Sequence, residues 1–218
     1  MFDENDLAIL REKISSSMSF YRLRHTLGVE RMAVRLGEIY APDEIGVLRA
    51  AALLHDITKE NSFQKQLQIC EKLGIIISSA AKASPKTLHA ITAAAILPSE
   101  YAAFAIPEVV DSVRWHTTGR KNMGICEKLI YLADYIEDGR EFEDCVYLRD
   151  FFFSVPIDSL TDDEKLLHLD KTLVLSFDLT IKQLISEGAP IDISTTEARN
   201  SLILTISGSD SPDKSGRT

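Results

Sequence analysis

Histidine and aspartate side chains recur along this chain in an order that suits chemistry on phosphate groups. The candidates are His25, the adjacent pair His55 and Asp56, His89, His116 and Asp134. Imidazole and carboxylate groups together form a ligand set for divalent first-row metals, and no thiolate is required. A bound metal lowers the pKa of its water and offsets the charge of a transferred phosphoryl group. The pattern therefore predicts metal-assisted hydrolysis of a phosphoanhydride.

The His55–Asp56 pair is the strongest single sign of a metal site. It follows the apolar run from Ala50 to Leu54, which predicts a helix that is buried on most sides. Two ionisable groups at the end of such a helix are costly to bury unless something pairs with them. Successive helical positions lie about 100° apart around the axis, so both side chains can face one ion only near a helix end. Asp134 also has apolar neighbours, which favours a ligand role over an unpaired carboxylate.

The bulk properties are those of an ordinary globular protein. The 218 residues are 45% hydrophobic and 26% charged, which fits a single domain with a short appendage. The net charge of −9 argues against binding to nucleic acid or to an anionic membrane. No apolar run approaches the roughly 20 residues that span a bilayer, and the acidic N-terminus lacks a signal-peptide pattern. We therefore expect a cytoplasmic protein. The widely spaced cysteines, Cys70, Cys126 and Cys145, are expected to be buried or half-buried thiols.

Helical periodicity dominates the chain, and no segment sustains the period-two alternation of a strand, so the sequence predicts an all-α fold. Nine helices are predicted: Leu7–Ser17, Phe20–Tyr40, Glu44–Asp56, Ser62–Leu73, Thr87–Leu97, Pro107–His116, Ile125–Glu137, Asp162–Glu187 and Ser194–Ile206. Thr161 and Glu164 match a capping box at the start of the eighth. The stretch from Gly74 to Pro85 is expected to be a connection, and residues 207–218 are expected to be disordered.

Five linked motifs extend the pattern beyond isolated ligands. They are residues 25–29 (HTLGV), 54–59 (LHDITK), 88–90 (LHA), 115–119 (WHTTG) and 131–137 (YLADYIE). A lone His, then a His-Asp pair, then a later Asp resembles the HD-domain phosphohydrolases. The five motifs together resemble the YqeK family, which consists of bacterial symmetrical diadenosine tetraphosphate hydrolases that carry iron or a similar metal. The resemblance spans roughly residues 22–200.

This resemblance implies a fold and a division of the chain. The implied fold is an all-α HD-domain helical bundle with a C-terminal helical extension. Residues 1–19 would form an N-terminal helix, and residues 20–140 would form the metal-dependent phosphohydrolase domain. Residues 141–206 would form an extension that packs on this domain, followed by the tail over residues 207–218.

The resemblance also implies roles for the site residues. The principal metal would be held by His25, His55, Asp56 and Asp134. The implied metal is iron, with manganese or another first-row ion as alternatives. His89 and His116 would face the phosphates or hold a second metal with Asp56 as the bridge, so that one or two ions would bind. Lys59 would contact a phosphate as a point charge. The further substrate contacts would be Arg22, Thr117 and Arg140.

In the implied mechanism, a metal-bound hydroxide attacks a middle phosphate of diadenosine tetraphosphate in line, and two ADP are formed. The catalytic set would be Asp56, Lys59, His89 and His116. The partner is then a small nucleotide, with no nucleic acid and no membrane. The apolar run Phe151–Phe153 leaves a homodimer open, because it fits either a core or an interface patch.

Alternatives to this interpretation stay open. The chain could hydrolyse another nucleotide or small phosphate ester, or it could be a non-catalytic nucleotide-binding regulatory module. Lys59 could be only a helix-terminal residue that the helix dipole favours. The family commonly has a Glu-Pro pair and a Phe-Pro-Gly turn after the last metal Asp, whereas this chain reads EDGREFED over residues 137–144. Gly139 can restore the turn, but the two extra acids are expected to weaken anion affinity in this loop.

Overall fold

The computed structural model describes residues 2–83 and 85–209, which form eleven α-helices. They are α1 Glu4–Ser15, α2 Phe20–Tyr40, α3 Ile45–Leu54, α4 Phe63–Lys72, α5 Ser79–Ala83, α6 Pro85–Glu100, α7 Pro107–Trp115, α8 Ile125–Ile136, α9 Glu143–Phe153, α10 Asp162–Ser186 and α11 Ile193–Ser209. Short 3-10 helices lie at Pro42–Glu44, Ala102–Phe104 and Ile157–Ser159. The described ranges contain no β-strand, so the predicted all-α class is confirmed.

Local sequence signals set several helix ends where they were predicted. The side chain of Ser19 accepts a hydrogen bond from the N–H of Arg22 and starts α2, which ends at Tyr40 as predicted. Thr161 and Glu164 form the predicted reciprocal capping box of α10. The first helix begins earlier than predicted, because Asp3 caps it through the N–H of Asp6.

Other predicted boundaries were wrong. The predictions contain no counterpart of α9. The stretch from Gly74 to Pro85 is a connection as predicted only up to residue 78, because α5 and the first residue of α6 lie in its second half. Helix α6 continues through Pro98 and ends two residues later, so the bend that a proline imposes leaves only the last turn to be affected. Helix α11 reaches Ser209, so the expected disorder is wrong for residues 207–209. The rest of that expected tail, residues 210–218, lies outside the described residues.

Four helices pack against one another around the candidate site. Helix α2 contacts α3 and α8, α7 contacts α3 and α8, and α3 also contacts α8. Their shared interior is aliphatic, with no exposure of Leu36, Leu48, Leu53 or Leu129. Each such side chain contributes roughly 1.5–3 kcal/mol when it is fully buried. This bundle therefore holds the chain segments that carry the candidate ligands in fixed positions.

The C-terminal helices pack against α8. The ring of Tyr131 lies 4.6 Å from that of Phe177 in α10, between centroids, and Lys128 Nζ is 2.6 Å from Asp170 Oδ1. One hydrophobic core runs through the bundle and into α9–α11, so the division at residue 140 stays a prediction. In the Phe151–Phe153 run, Phe152 belongs to this core with no exposure.

Within the described ranges, no helix combines the length and the apolar character needed to span a lipid bilayer. The thiols of Cys70, Cys126 and Cys145 are buried.

Candidate metal centre

The candidate ligands come from five separate helices or helix ends. His25 lies in α2, His89 in α6 and Asp134 in α8, while His116 directly follows α7. Helix α3 ends at Leu54, and the chain turns through residues 55–60, so His55 and Asp56 leave the helix together. This turn is the helix end that the sequence required for both side chains to face one point.

The side chains converge on a small buried volume. His25 Nε2 is 3.0 Å from Asp134 Oδ1 and 3.7 Å from Asp56 Oδ2. His55 Nε2 is 3.4 Å from Asp56 Oδ2 and 3.9 Å from Asp134 Oδ1. Two sets can offer ligand atoms that all lie within 4.8 Å of one another: His25 with His55 and Asp134, and His55 with Asp56 and His116.

In three of the histidines, the Nδ1 atom lies within hydrogen-bond distance of an oxygen, while Nε2 faces the centre. The Nδ1 atom of His25 lies 3.1 Å from Glu137 Oε1, that of His55 lies 2.6 Å from the carbonyl oxygen of Ala52, and that of His116 lies 2.7 Å from the carbonyl oxygen of Val113. A carbonyl oxygen can only accept, so Nδ1 carries the proton in His55 and His116. A neutral ring in this tautomer presents the lone pair of Nε2 to the centre, as in metal-binding histidines.

Several atoms that face the centre lack a hydrogen-bond partner. His25 Nε2, His55 Nε2 and Asp56 Oδ1 are all buried, and none makes a hydrogen bond within the described residues. His25 Nε2 approaches Asp134 closely, but the contact lacks hydrogen-bond geometry. Each buried group left unpaired costs about 1–3 kcal/mol. A divalent cation would give all three atoms a partner at once, so these residues fit a metal of the imidazole and carboxylate class.

The charges of the cluster also favour a cation. Burial acts against ionisation of Asp56, but the imidazoles of His55, His116 and His89 hold its pKa well below the ordinary value. Burial likewise opposes ionisation of Asp134, and Arg140 and His25 hold its pKa well below the ordinary value. Burial lowers the pKa of His25, but contacts with Asp134 and Glu137 outweigh it and raise that pKa to about 9. The two carboxylates therefore stay ionised and stabilise positive charge between them.

His89 and Lys59 border the cluster on one side. His89 Nε2 is 3.0 Å from Asp56 Oδ1 and 3.0 Å from His116 Nε2. Lys59 Nζ is 3.1 Å from His89 Nε2 and 3.9 Å from Asp56 Oδ1. Burial lowers the pKa of His89 to about 4 and also lowers the pKa of Lys59. The Lys59 side chain keeps 33% exposure, so a ligand can reach its ammonium group.

Two arginines face the same carboxylates. Arg22 contacts the carboxylate of Asp56 through its guanidinium group. Arg140 contacts the carboxylate of Asp134, and its Nε donates to the main-chain oxygen of that residue at 3.0 Å. Both cations thus lie within reach of an anion held at the centre. Thr117, the third predicted substrate contact, has a buried hydroxyl without a hydrogen-bond partner among the described residues.

Glu137 is a site residue that the sequence reasoning did not assign. Its carboxylate contacts His25 Nδ1 and accepts the N–H of Gly139 at 2.7 Å. Gly28, one turn after His25 in α2, leaves the room for it, since a Cβ at that position would lie 2.3 Å from Glu137 Oε2. Gly28 lies in the motif over residues 25–29 and Glu137 in the motif over residues 131–137. Their occurrence together was the sequence signal that could have indicated this contact.

Arg149 of α9 holds the segment that contains Glu137. Its guanidinium group donates to the main-chain oxygens of Glu137 at 2.7 Å, Arg140 at 3.1 Å and Ile136 at 3.3 Å. A rigid fork of donors suits three closely spaced carbonyls. The first of the C-terminal helices therefore fixes the loop that orients His25.

A cavity of about 590 Å³ opens beside the cluster. It reaches His116 and Asp134 at its inner end and includes Thr117 and Arg140 on its wall. Its other lining residues are Lys86, Tyr131, Tyr135, Phe142, Glu143, Asp144, Cys145, Thr180 and Gln183. The volume lies in the usual range for small-molecule sites. Glu143 and Asp144, two acids of the segment over residues 137–144 that differs from the family pattern, lie on this wall in the first turn of α9.

The helical fold and the His/Asp cluster together define a class of protein, and comparison with known protein families identifies that class. The HD domain family matches residues 22–139, more than half of the chain, and the chain belongs to this family. The predicted resemblance is thereby confirmed at the family level.

Two bacterial proteins of known name are similar to this chain in sequence. The chain is 36% identical over 133 residues to a Staphylococcus aureus protein, covering 61% of this chain and 67% of that protein. It is 30% identical over 195 residues to one from Halalkalibacterium halodurans, covering 88% and 94% respectively. Both relatives are named symmetrical bis(5'-nucleosyl)-tetraphosphatase.

A crystal structure from Clostridium acetobutylicum is also similar. It has 32% sequence identity and a TM-score of 0.77, and the match covers 94% of this chain and 99% of that one. That protein is described as a predicted HD superfamily hydrolase involved in NAD metabolism.

Proposed function

We propose that this chain is a metal-dependent hydrolase that splits diadenosine tetraphosphate symmetrically into two ADP. The observation that carries the proposal is the buried cluster of His25, His55, Asp56 and Asp134, with unpaired ligand atoms that face one point beside a nucleotide-sized cavity. The names of the Staphylococcus aureus and Halalkalibacterium halodurans relatives support the substrate.

The four residues of that cluster would hold the principal metal. When bound, a divalent metal supplies a nucleophile from water at neutral pH and relieves the negative charge of the attacked phosphate. The ligand set suits iron, which we propose as the native metal, and it also suits manganese and other first-row ions. Glu137 would orient the His25 ring and set its tautomer, as carboxylates behind metal-binding histidines do.

His116 is better suited to a metal than to a phosphate. Its Nδ1 proton is directed to the carbonyl oxygen of Val113, so the neutral ring presents only a lone pair at Nε2. A lone pair cannot donate to a phosphate oxygen, but it can join His55 and Asp56 around a second ion. We therefore propose a ligand role for His116, and His89 beside it as the phosphate-facing member of the pair.

The cations around the cluster would bind and orient the polyphosphate. Lys59 has a partly exposed ammonium group, and Arg22 and Arg140 lie against the ligand carboxylates. Charge-assisted contacts from these groups would hold the two central phosphates in line for attack. One nucleoside diphosphate would then extend into the large cavity, where the hydroxyl of Thr117 faces it and the ring of Tyr135 offers a stacking surface.

The test is metal content and turnover on the same preparation. Diadenosine tetraphosphate should yield two ADP per substrate, resolved by anion-exchange chromatography, and added iron or manganese should restore activity after chelation. ATP plus AMP as products would contradict symmetrical cleavage. Mononucleotides, guanosine polyphosphates and NAD belong in the same panel, and faster turnover of any of them would replace the proposed substrate.

The same measurements distinguish a non-catalytic binding module from an enzyme. A regulatory binding module would retain ADP in a titration and yet turn over no member of the panel with iron, manganese or cobalt. The unpaired ligand atoms argue for the enzyme, because a binding module has no need of buried lone pairs directed at one point.

A further inference from the structure

A second cavity is lined by Lys59 and His89, the two residues that border the metal cluster. Its volume is about 260 Å³, and it is lined by Lys59, Asn61, Phe63, Gln66, Lys86 and His89. No carboxylate is among these residues, whereas the large cavity carries Asp134, Glu143 and Asp144. Two lysines on this wall, each no closer than 3.9 Å to its neighbouring carboxylate, offer donors that suit an anionic ligand.

The two cavities meet at Lys86. This residue lines both of them, one turn before His89 in α6, and its side chain is 81% exposed. Its ammonium group lies 3.9 Å from Glu187, a weak surface contact that a ligand can replace. Because Lys86 lines both cavities, a polyphosphate that extends from one cavity to the other could contact its ammonium group.

Gln66 shows that the second cavity carries an unused polar group. Its side chain is only 5% exposed, and its Nε2 donates to the main-chain oxygens of Asn61 at 3.0 Å and Thr58 at 3.3 Å. These acceptors fix the orientation of the amide, because a flipped amide would place oxygen against oxygen. Gln66 Oε1 is then left buried without a partner among the described residues. Such an acceptor fits an amino or hydroxyl donor of a nucleoside.

Phe63 supplies an aromatic surface at the same place. It is the first residue of α4, it is half-buried, and it is not part of the hydrophobic core cluster. A ring that is partly exposed beside two lysines and an unpaired amide has the composition of a base-stacking site.

We propose that the second cavity receives the other nucleoside diphosphate half of the dinucleotide, with Lys59 and Lys86 on its phosphates and Phe63 stacked on its base. This proposal rests on the proposed function, since a symmetrical substrate cut at its centre must place one half on each side of the metal cluster. The second cavity is the smaller one, so this half is less enclosed and is held more weakly than the half in the large cavity.

The test compares two substrates that differ by one nucleoside. Hydrolysis of diadenosine tetraphosphate between its central phosphates gives two ADP, and the same cut in adenosine 5'-tetraphosphate gives ADP and pyrophosphate. Stacking on an aromatic residue is worth about 1–3 kcal/mol per base, so Phe63→Ala should raise KM for the dinucleotide about 5-fold to 150-fold. KM for the mononucleotide should stay within about twofold, because its single base occupies the large cavity.

Matched variants separate stacking from folding. Phe63→Trp should keep a KM close to that of the wild type for both substrates. Phe20→Ala removes an aromatic ring that is 74% exposed and lines neither cavity, so it should change neither KM. Lys86→Gln should raise KM for the dinucleotide about fivefold, and the exposed Lys82→Gln, outside both cavities, should not. Equal KM increases for both substrates in Phe63→Ala would overturn the proposal.

Binding of ADP gives a readout that does not need turnover. Calorimetric titration of the metal-loaded chain should show two ADP sites of unequal affinity, and Phe63→Ala should lose the weaker one. A single site in the wild type would overturn the second cavity even if the dinucleotide is cleaved. Two sites without cleavage of the dinucleotide would instead overturn the proposed function and leave the second site standing.

Discussion

Replacement of Gly28 by Ala tests whether Glu137 controls the metal centre through His25. The new Cβ would lie 2.3 Å from Glu137 Oε2 and 3.0 Å from Glu137 Cδ, so the carboxylate must move by about an ångström to reach ordinary contact distance. That shift breaks the 3.1 Å contact with His25 Nδ1. Loss of such an outer contact typically lowers metal affinity 10-fold to 100-fold, and we expect a decrease of about that size.

The effect on the free energy of unfolding should be small. Alanine in a helix interior is favoured over glycine by roughly 0.5–1 kcal/mol, which offsets part of the strain from the displaced carboxylate. The metal-free Gly28→Ala chain should therefore unfold within about 1 kcal/mol of the wild type in urea. A large decrease in metal affinity with little change in metal-free stability is the expected signature.

Metal affinity is measured by competition with a chromophoric chelator, and the urea transition is followed by circular dichroism. A double-mutant cycle supplies the control. Glu137→Ala alone should lower the affinity as Gly28→Ala does, and the two together should not add, because the clash has gone with the carboxylate. Unchanged metal affinity in Gly28→Ala, or full additivity in the cycle, would refute the assigned role of Glu137.

Three further substitutions test the site and the core. Asp56→Asn should lower metal content and kcat together by more than about 100-fold, measured by elemental analysis and product formation, because the variant removes a ligand charge and not an outer contact. Glu30→Gln should lower the free energy of unfolding by about 3 kcal/mol without changing metal content, since Glu30 is 5% exposed and holds Arg11 at 2.9 Å and Arg49 at 3.0 Å. Phe177→Ala should lower it by about 3–5 kcal/mol in urea unfolding, because the ring has no exposure and packs on Tyr131. An unchanged urea midpoint in either core variant would contradict its packing argument.

The sequence predicted the elements whose signals are local. Ser19 and the Thr161–Glu164 box start helices as their chemistry requires, and α2 has its predicted ends. That the candidate ligands of five segments lie close together was predictable, because a buried His-Asp pair needs partners and the motifs supplied them. Family resemblance then named the substrate, which the constellation of residues alone left open.

The rest depended on contacts between distant residues. Helix α9 was missed because Phe142 before it provides no side-chain cap and the helix has no clean apolar stripe. The role of Glu137 requires knowledge that Gly28 lies against it, although the two are more than a hundred positions apart. The second cavity joins Lys59 to Lys86 across two helices, and no periodicity in one segment reports such a pairing.

The fork of hydrogen bonds from Arg149 has a practical consequence for fragment design. The family match ends at residue 139, and a fragment that ends there contains every candidate metal ligand. That fragment would lack Arg149, whose guanidinium group donates hydrogen bonds to the main-chain oxygens of residues 136, 137 and 140. The segment that contains Glu137 would then lose these hydrogen bonds. The smallest unit that can hold its metal firmly therefore extends at least through α9, and the cut belongs beyond the segment that sequence similarity outlines.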